Sequence, residues 1–214
     1  MIDSKIIKTD RTLLQNVSRE TLKELEDYSK SILSTNKKIN LISSSTEKSI
    51  NTRHIYDSAQ TIDFIDKNDI SVCTDLGSGA GLPSIVLGIM MKSKKRGFKL
   101  IFYEKSYHKS NFLIEMVKKF KLEAKIYQKN IFEEKNLVTD VIICRAFKPL
   151  PVIFDIATKN FKNFKYIVMY LGKSRKKILK DVSTKWKFDL EEMKSITSEK
   201  SSVVKISNLK KKYE

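Results

Sequence analysis

The chain has 214 residues, of which 41% are hydrophobic and 31% are charged. This composition predicts a soluble globular protein, and the length suffices for one sizeable domain with an extension. No apolar run approaches the roughly 20 residues of a membrane span, and the polar start of the chain lacks the apolar core of a signal peptide. Membrane insertion and export are therefore not expected, and the sequence favours a cytoplasmic protein.

The net charge is +17, from 42 basic and 25 acidic residues. A positive field of this size attracts polyanions and favours RNA or DNA as a partner. Only six of the basic residues are arginine, so a general compositional bias towards lysine is an alternative explanation. Three basic runs, at 92–96, 173–180 and 210–212, could together follow a phosphate backbone.

The first part of the chain has the apolar spacing of helices. Two helices are predicted there, over residues 18–33 and 47–64. Ser18 is suited to cap the first, and Thr46 is suited to cap the second. The sequence therefore predicts a helical N-terminal extension over residues 1–66, ahead of a second domain over residues 67–214.

From residue 70 the pattern changes to alternating strands and helices. The predicted strands are 71–75, 98–104, 124–128, 140–144 and 166–171. The predicted helices are 82–91, 106–120, 152–159 and 173–180. Two further strands, 186–190 and 203–206, are expected to close the sheet as an antiparallel hairpin. This alternation predicts an α/β fold with a Rossmann-like, doubly wound and mostly parallel sheet.

The most informative motif follows the first strand of this α/β part. Gly77, Gly79 and Gly81 alternate just after Asp75 and ahead of a helix start. Glycine permits a sharp turn and the close approach of a ligand, and a helix N-terminus presents free N–H groups. A dinucleotide site would need its third glycine at the position of Leu82. Gly-x-Gly-x-Gly behind an acid instead favours a site for S-adenosylmethionine (SAM), with a plain glycine-rich turn as the alternative.

Three more polar side chains follow predicted strands, at the sheet edge where ligands bind in open α/β folds. Glu104 follows the second strand, and its two oxygens suit the neighbouring hydroxyls of a ribose. Asn130 follows the third strand and could meet an adenine edge, although ordinary turn chemistry is an alternative. Arg145 follows the fourth strand and could bind a phosphate or pair with a carboxylate of the extension.

Five segments occur in an order and spacing that resemble a known family. They are Asn40-Leu41-Ile42-Ser43, Arg53-His54-Ile55-Tyr56-Asp57-Ser58, Asp75-Leu76-Gly77-Ser78-Gly79-Ala80-Gly81-Leu82-Pro83, Glu104 with Lys109-Ser110-Asn111-Phe112-Leu113, and Arg145-Ala146-Phe147. Together they are similar to the bacterial 16S rRNA guanine-N7 methyltransferases known as RsmG or GidB. The resemblance implies a class I SAM-dependent methyltransferase fold. It also implies methylation of one guanine in the decoding-region loop of 16S rRNA, with naked rRNA or the 30S subunit as partner.

With the resemblance, roles can be given to individual residues. Cofactor-binding roles fall on Asp75, Gly77, Ser78, Gly79, Gly81, Leu82, Glu104, Asn130, Ile131 and Arg145. RNA-binding roles fall on Arg53, Lys109, Lys173 and Arg175. The chain departs from the family pattern at 129–132, where the family usually has an acidic contact, and at Lys173, which follows a glycine instead of preceding one.

Guanine N7 carries a free lone pair, so its methylation needs no general base. We therefore expect Arg145 and Lys173 to contribute by positioning and not by proton transfer. Two alternatives stay open: a non-catalytic RNA-binding or ribosome assembly factor on this fold, and a SAM methyltransferase with another acceptor. A monomer is expected, and the two cysteines lack the spacing of metal ligands, so neither a metal nor a disulfide is predicted.

Overall fold

The structure is a computed structural model. It describes residues 4–7, 17–67, 69–95, 97–198 and 200–212. The strands of this part are β1 (Ser4–Ile7), β2 (Val72–Leu76), β3 (Lys99–Tyr103), β4 (Ala124–Tyr127), β5 (Leu137–Val138), β6 (Val141–Cys144), β7 (Phe161–Asn163), β8 (Tyr166–Leu171), β9 (Trp186–Lys194) and β10 (Ser202–Lys211). Eight of them form the main sheet in the order β1-β9-β10-β8-β6-β2-β3-β4, and β5 pairs with β7. Strand β10 runs antiparallel to both neighbours, and the other described pairings are parallel.

The predicted α/β fold with a mostly parallel sheet is confirmed. Strands β2, β3, β4, β6 and β8 lie within a residue or two of the predicted strands, and β9 and β10 form the expected antiparallel hairpin. All four residues of β6 are buried, as a parallel strand covered on both faces requires. The parallel strands therefore bring their carboxyl ends to one edge of the sheet.

Helices cover both faces of the sheet. They are α1 (Arg19–Asn36), α2 (Asp57–Ala59), α3 (Ile62–Ile65), α4 (Ser84–Met91), α5 (Tyr107–Lys119), α6 (Leu150–Asn160) and α7 (Arg175–Ser183). Helices α1 to α5 contribute to one hydrophobic cluster, and α6 and α7 contribute to a second cluster on the opposite face. The predicted cap of the first helix is confirmed, because Ser18 Oγ accepts a hydrogen bond from the Thr21 N–H at 3.1 Å.

The second predicted helix, 47–64, is wrong as a single α-helix. Residues Ser44–Ser49 form a 3₁₀-helix and Asn51–Tyr56 form a π-helix, so only α2 and α3 have α-helical geometry. Hydroxyl groups in this segment bond to carbonyls three residues earlier, as the Thr46 hydroxyl does to the Ser43 carbonyl at 2.8 Å. Such bonds give the backbone an alternative to regular α-helix.

The N-terminal extension is not purely helical, because β1 is a strand that the sequence analysis did not predict. It pairs in parallel with β9 at the sheet edge. Tyr28 and Ile32 of α1 are fully buried in the same hydrophobic cluster as α4, so the extension and the α/β part share a core. The division near residue 66 stays a prediction.

Candidate functional site

The glycine turn after β2 has a backbone that only glycine adopts readily. Gly77, Gly79 and Gly81 have φ angles of +66°, +55° and +85°. A Cβ atom on Gly77 would lie 2.1 Å from the ring of Phe147, and one on Gly81 would lie 2.5 Å from the side chain of Ile85. A Cβ atom on Gly79 would meet only the Gly77 carbonyl oxygen, at 3.8 Å, so this position faces open space.

Hydrogen bonds from neighbouring elements hold this turn. The Tyr28 hydroxyl of α1 donates to the Ala80 carbonyl at 2.6 Å. The Gly77 and Ser78 N–H groups both donate to the Tyr103 carbonyl at the end of β3, at 2.9 and 3.2 Å. The turn is therefore anchored on the adjacent strand and on the extension.

Two acidic residues lie beneath the turn. Asp75 is 1% exposed, and its Oδ2 atom has no hydrogen-bond partner among the described residues. Burial and, to a smaller extent, the negative charge of Glu104 raise the pKa of Asp75 to about 7. The Glu104 Oε2 and Oε1 atoms accept from the N–H groups of Gly79 and Ser106, both at 2.8 Å. Glu104 thus braces the turn, while Asp75 keeps an acceptor atom free behind it.

A first cavity of about 350 Å³ opens on one side of the turn. It is lined by Gly77, Tyr103, Glu104, Lys105, Lys129, Asn130, Ile131, Phe132, Ala146, Phe147 and Lys148. The cavity brings together Glu104 and Asn130, which follow β3 and β4, with Ile131, which the family resemblance added. The Asn130 side chain caps a short 3₁₀ turn, accepting from the Phe132 N–H at 3.4 Å and donating to Glu133 at 2.9 Å.

A second cavity of about 230 Å³ opens on the other side. It is lined by Leu41, Ile42, His54, Gly77, Ser78, Gly79, Ala80, Leu82, Lys109, Arg145 and Ala146. Its wall from the extension is held by Asn36, whose side-chain oxygen accepts from the N–H groups of Leu41 and Ile42 at 2.8 and 2.9 Å. Gly77 and Ala146 line both cavities, so the two meet at this point.

Arg145 is bound to the extension. Its Nη2 atom lies 2.9 Å from Asp57 Oδ2 and donates to the Arg53 carbonyl at 2.8 Å, while Nη1 donates to the Ser58 hydroxyl at 3.3 Å. The guanidinium carbon lies 4.8 Å from the centre of the Tyr170 ring. The sequence left a phosphate and a carboxylate of the extension as possible partners of Arg145, and the structure shows it paired with the carboxylate of Asp57. The Arg145 side chain lines the second cavity, whereas the next two residues, Ala146 and Phe147, line the first.

Asp57 connects three parts of the chain. Its Oδ1 atom accepts from Gln60 at 2.7 Å, from the Ser195 hydroxyl at 2.8 Å and from the Thr197 hydroxyl at 3.0 Å. The last two lie between β9 and β10, so this carboxylate ties the extension and Arg145 to the closing hairpin.

His54 is a neutral side chain in the second cavity. Its Nε2 atom lies 2.8 Å from the Thr46 hydroxyl. Burial and the positive charge of Arg145 lower the pKa of His54 to about 4. At neutral pH the imidazole is therefore uncharged and suited to hydrogen bonding.

The residues predicted to bind RNA are not all in one place. Lys109 lines the second cavity, and Arg53 is exposed on the π-helix that also carries His54. Lys173 is exposed beyond β8, at the same sheet edge. Arg175 is engaged within the protein, because its Nε donates to Glu192 at 2.7 Å and its Nη1 to the Lys200 carbonyl at 3.4 Å.

The three basic runs do not form one track. Lys92 pairs with Glu24, and Lys94 pairs with Asp66 at 2.8 Å, beyond the far end of α4. Strand β10 also ends at the opposite edge, where Lys211 lies beside Trp186. The hypothesis of one continuous backbone track is therefore wrong, because only the run after β8 shares the edge of the glycine turn.

Several residues of the site were not predicted from the sequence. Phe147 packs against Gly77, its ring centre lies 6.5 Å from that of Phe132, and the Lys148 ammonium lies 6.0 Å from the Phe132 ring. Phe147 stands in the motif that carried the resemblance, which was the available signal. Tyr28 lies within the first predicted helix, and nothing local marked its hydroxyl as a support of the turn.

The sheet order and the glycine turn define a class I, Rossmann-like methyltransferase fold. A SAM-dependent methyltransferase from Aquifex aeolicus is similar with a TM-score of 0.56 and 14% identity, covering 81% of this chain and 97% of that one. TrmK of M. capricolum, in complex with S-adenosylhomocysteine, is similar with a TM-score of 0.53 and 16% identity, covering 70% and 66%. These likenesses concern the fold.

The family follows from sequence. The family model described as rRNA small subunit methyltransferase G (GidB) matches residues 21–206, and this chain belongs to that family. Ribosomal RNA small subunit methyltransferase G of Pelagibacter ubique is 46% identical over 200 residues, which cover 92% of this chain and 93% of the relative. The resemblance seen in the five segments is thereby confirmed.

Proposed function

We propose that this protein transfers a methyl group from SAM to N7 of one guanine in the decoding-region loop of 16S rRNA. The observation that carries the proposal is the meeting of the two cavities at Gly77 and Ala146. One cavity suits the cofactor and the other suits the base, so their junction is where a methyl group would pass. Membership of the small-subunit rRNA methyltransferase family supports this substrate class.

The residues of the turn and first cavity fit SAM. Gly79 leaves open space above the turn, and the unpartnered Oδ2 atom of Asp75 is a free acceptor for a cationic amino-acid end. Glu104, Asn130 and Ile131 line the first cavity, where ribose hydroxyls and adenine would be held. We propose that the cofactor-binding role also extends to the turn residues Gly77, Ser78, Gly81 and Leu82, and that Arg145, which lines the second cavity, meets the cofactor only where the two cavities join. When bound, SAM supplies an activated methyl group.

The protein's part in the reaction is positioning. Guanine N7 attacks with its own lone pair, so no proton has to leave first. His54 is neutral and bonded to Thr46, and Arg145 is paired with Asp57, so neither is placed as a base. We propose that Arg145 and Lys109 orient the base and its phosphates, which brings the reacting atoms into line. Lys173, at the same edge, would contact the RNA from outside the cavity.

The remaining proposals concern the setting. None of the helices in the described part of the chain combines the length and apolarity needed to cross a bilayer. We propose a cytoplasmic monomer that acts on 16S rRNA or on the 30S subunit. Arg53, Lys109, Lys173 and Arg175 are proposed to contribute to RNA binding, with Arg175 free to do so only if its bond to Glu192 opens.

The experiment is methyl transfer from radiolabelled SAM to 30S subunits and to free 16S rRNA from cells that lack this protein. Borohydride–aniline cleavage then locates any 7-methylguanine. We expect one labelled guanine with the wild type and none with Gly79→Arg. The arginine would fill the open space above the glycine turn, which we call the SAM cradle, and would block SAM binding. Gly97→Arg is the matched control, since Gly97 also has a positive φ, +77°, and open space at its Cβ position, but lies far from both cavities.

Each result has a distinct meaning. Label at one guanine with the wild type and with Gly97→Arg, but not with Gly79→Arg, supports the proposal. SAM binding in calorimetry without label points to another methyl acceptor. Absence of both binding and label favours a non-catalytic RNA-binding or assembly factor, and equal SAM affinity of Gly79→Arg and wild type would contradict the proposed cradle.

A further inference from the structure

Exposed aromatic side chains occur in three of the segments that line or flank the two cavities. Among the described residues, the exposed tyrosine and phenylalanine rings are Tyr56, Tyr107 and Phe132, which are 40%, 60% and 44% exposed. Phe132 lines the first cavity, and Tyr56 lies two residues from His54 of the second. Each ring leaves apolar surface in water that a ligand could cover. We call these three residues the aromatic rim.

Tyr107 lies in the chain between residues that line the two cavities. It is the first residue of α5, two residues after Lys105, which lines the first cavity, and two before Lys109, which lines the second. The first turn of this helix contains no acidic residue. A helix N-terminus favours acidic side chains, so these lysines are not there for the stability of the helix.

Positive charge accompanies each member of the aromatic rim. Lys148 lies 6.0 Å from the ring of Phe132, and Arg53 is exposed close to Tyr56 in the chain. The acidic neighbours of Phe132 are engaged: Glu133 accepts from Asn130, and Glu134 pairs with Lys129 at 3.0 Å. The rim therefore joins flat apolar faces to cations, the combination that binds the bases and the backbone of a nucleic-acid strand.

We propose that the aromatic rim binds unpaired nucleotides on both sides of the target base by stacking. The proposal deepens the proposed function, on which it rests, and it specifies a single-stranded segment of RNA as the partner. Bases in a duplex are stacked on one another and hide their faces, so a paired segment could offer the rim only phosphates and sugars. Bases of an open loop can be splayed onto exposed rings, while the target base enters the second cavity.

The test is the binding of a fluorescein-labelled RNA of about 12 nucleotides, single-stranded or annealed to its complement, measured by anisotropy without SAM. We expect Tyr107→Ala and Tyr56→Ala each to weaken single-strand binding at least about fivefold. Duplex binding should change less than about twofold, because it relies on phosphate contacts. Tyr107→Phe should bind like the wild type, since the ring and not the hydroxyl does the stacking.

Val138→Ala is the control, because Val138 is an exposed apolar residue just before β6, at the opposite sheet edge. It should bind both RNAs like the wild type. Unchanged single-strand binding of both tyrosine variants, or equal losses for single strand and duplex, overturns the proposal. Because binding is measured without methyl transfer, a wild type that methylates no rRNA would refute the proposed function while the rim is judged on its own result.

Discussion

At the scale of single residues, burial makes the charged form of Asp75 unfavourable. Its pKa is raised from 3.8 to about 7, so the folded chain keeps a proton that the unfolded chain has already lost above about pH 4. Stability from this residue is therefore present at low pH and is lost as the pH rises through about 7. The loss amounts to about 4 kcal/mol, from about 3 pKa units.

We accordingly expect Asp75→Asn to be more stable than the wild type at about pH 8, by up to about 4 kcal/mol, and nearly equal to it at about pH 4. Urea unfolding across this range measures the difference. The lowered pKa of His54 weakens both proteins alike as the pH falls from 6.5 to about 4, so it cancels. At about pH 8, where Asp75 is ionised, SAM affinity of the variant should fall at least about tenfold, since the negative charge is gone.

The matched change is Asp57→Asn, which removes a carboxylate from the Arg145 pair instead of from beneath the turn. Breaking this buried pair should destabilise the protein, in contrast to Asp75→Asn. A pH-independent stability difference between Asp75→Asn and the wild type would contradict the protonated state of Asp75.

The polar residues at the ends of the strands could be predicted from the sequence, but their hydrogen-bond and ion-pair partners could not. The spacing placed Asp75, Glu104 and Arg145 at the ends of β2, β3 and β6, where they are found. That Glu104 would accept from Gly79 and Arg145 would pair with Asp57 depends on the packing of segments distant in sequence. The candidate residues could therefore be predicted from the sequence, but the choice between a ligand and an ion pair could not.

At the scale of elements, α1 acts as a support for the glycine turn. Tyr28 is fully buried, its ring meets Phe120 edge-on at 6.0 Å, and its hydroxyl donates to the Ala80 carbonyl. Burial raises the pKa of Tyr28 well above its ordinary value, so the hydroxyl stays a donor. A helix of the extension thus contributes a bond on which the shape of the cradle depends.

We expect Tyr28→Phe to cost about 1–3 kcal/mol of stability, because the Ala80 carbonyl loses its partner, and to weaken SAM binding several-fold. Denaturant unfolding and calorimetry measure the two effects. The control is Tyr166→Phe, which removes a hydroxyl that donates to the Phe64 carbonyl of the extension, but at the start of β8. The control should lose stability while binding SAM normally, and equal loss of SAM affinity in both variants would rule out a local effect on the turn.

Elements with one clear pattern were predictable, and those decided by pairing were not. The buried apolar run of β8 matches its predicted strand at both ends. The four residues of β1 carry little pattern, and they are a strand because β9 offers its edge. The segment 44–65 has helical apolar spacing, yet the hydroxyl bonds of residues such as Thr46 divide it into short helices of different geometry.

At the scale of the whole molecule, the position of the charge matters more than its sum. Exposed Lys105 and Lys148 lie at the mouth of the first cavity. Exposed Lys187 and Lys210 lie side by side near the start of β9 and the end of β10, at the opposite edge of the sheet. The net charge of +17 could be read from the sequence, but this separation appears only when the strands are placed side by side.

Two double variants with the same net charge distinguish the contribution of the lysines at the cavity mouth to RNA binding from that of the lysines at the opposite edge. Each lysine–phosphate contact to a single strand adds about 0.7 to the slope of log affinity against log salt concentration. We expect Lys105→Gln/Lys148→Gln to reduce this slope by about 1.4 for single-stranded RNA, and Lys187→Gln/Lys210→Gln to leave it unchanged. Anisotropy titrations over a series of salt concentrations measure both. Equal reductions would mean that the whole positive field attracts the RNA, whereas a reduction confined to the first variant places the strand at the carboxyl edge, across the cavity mouth.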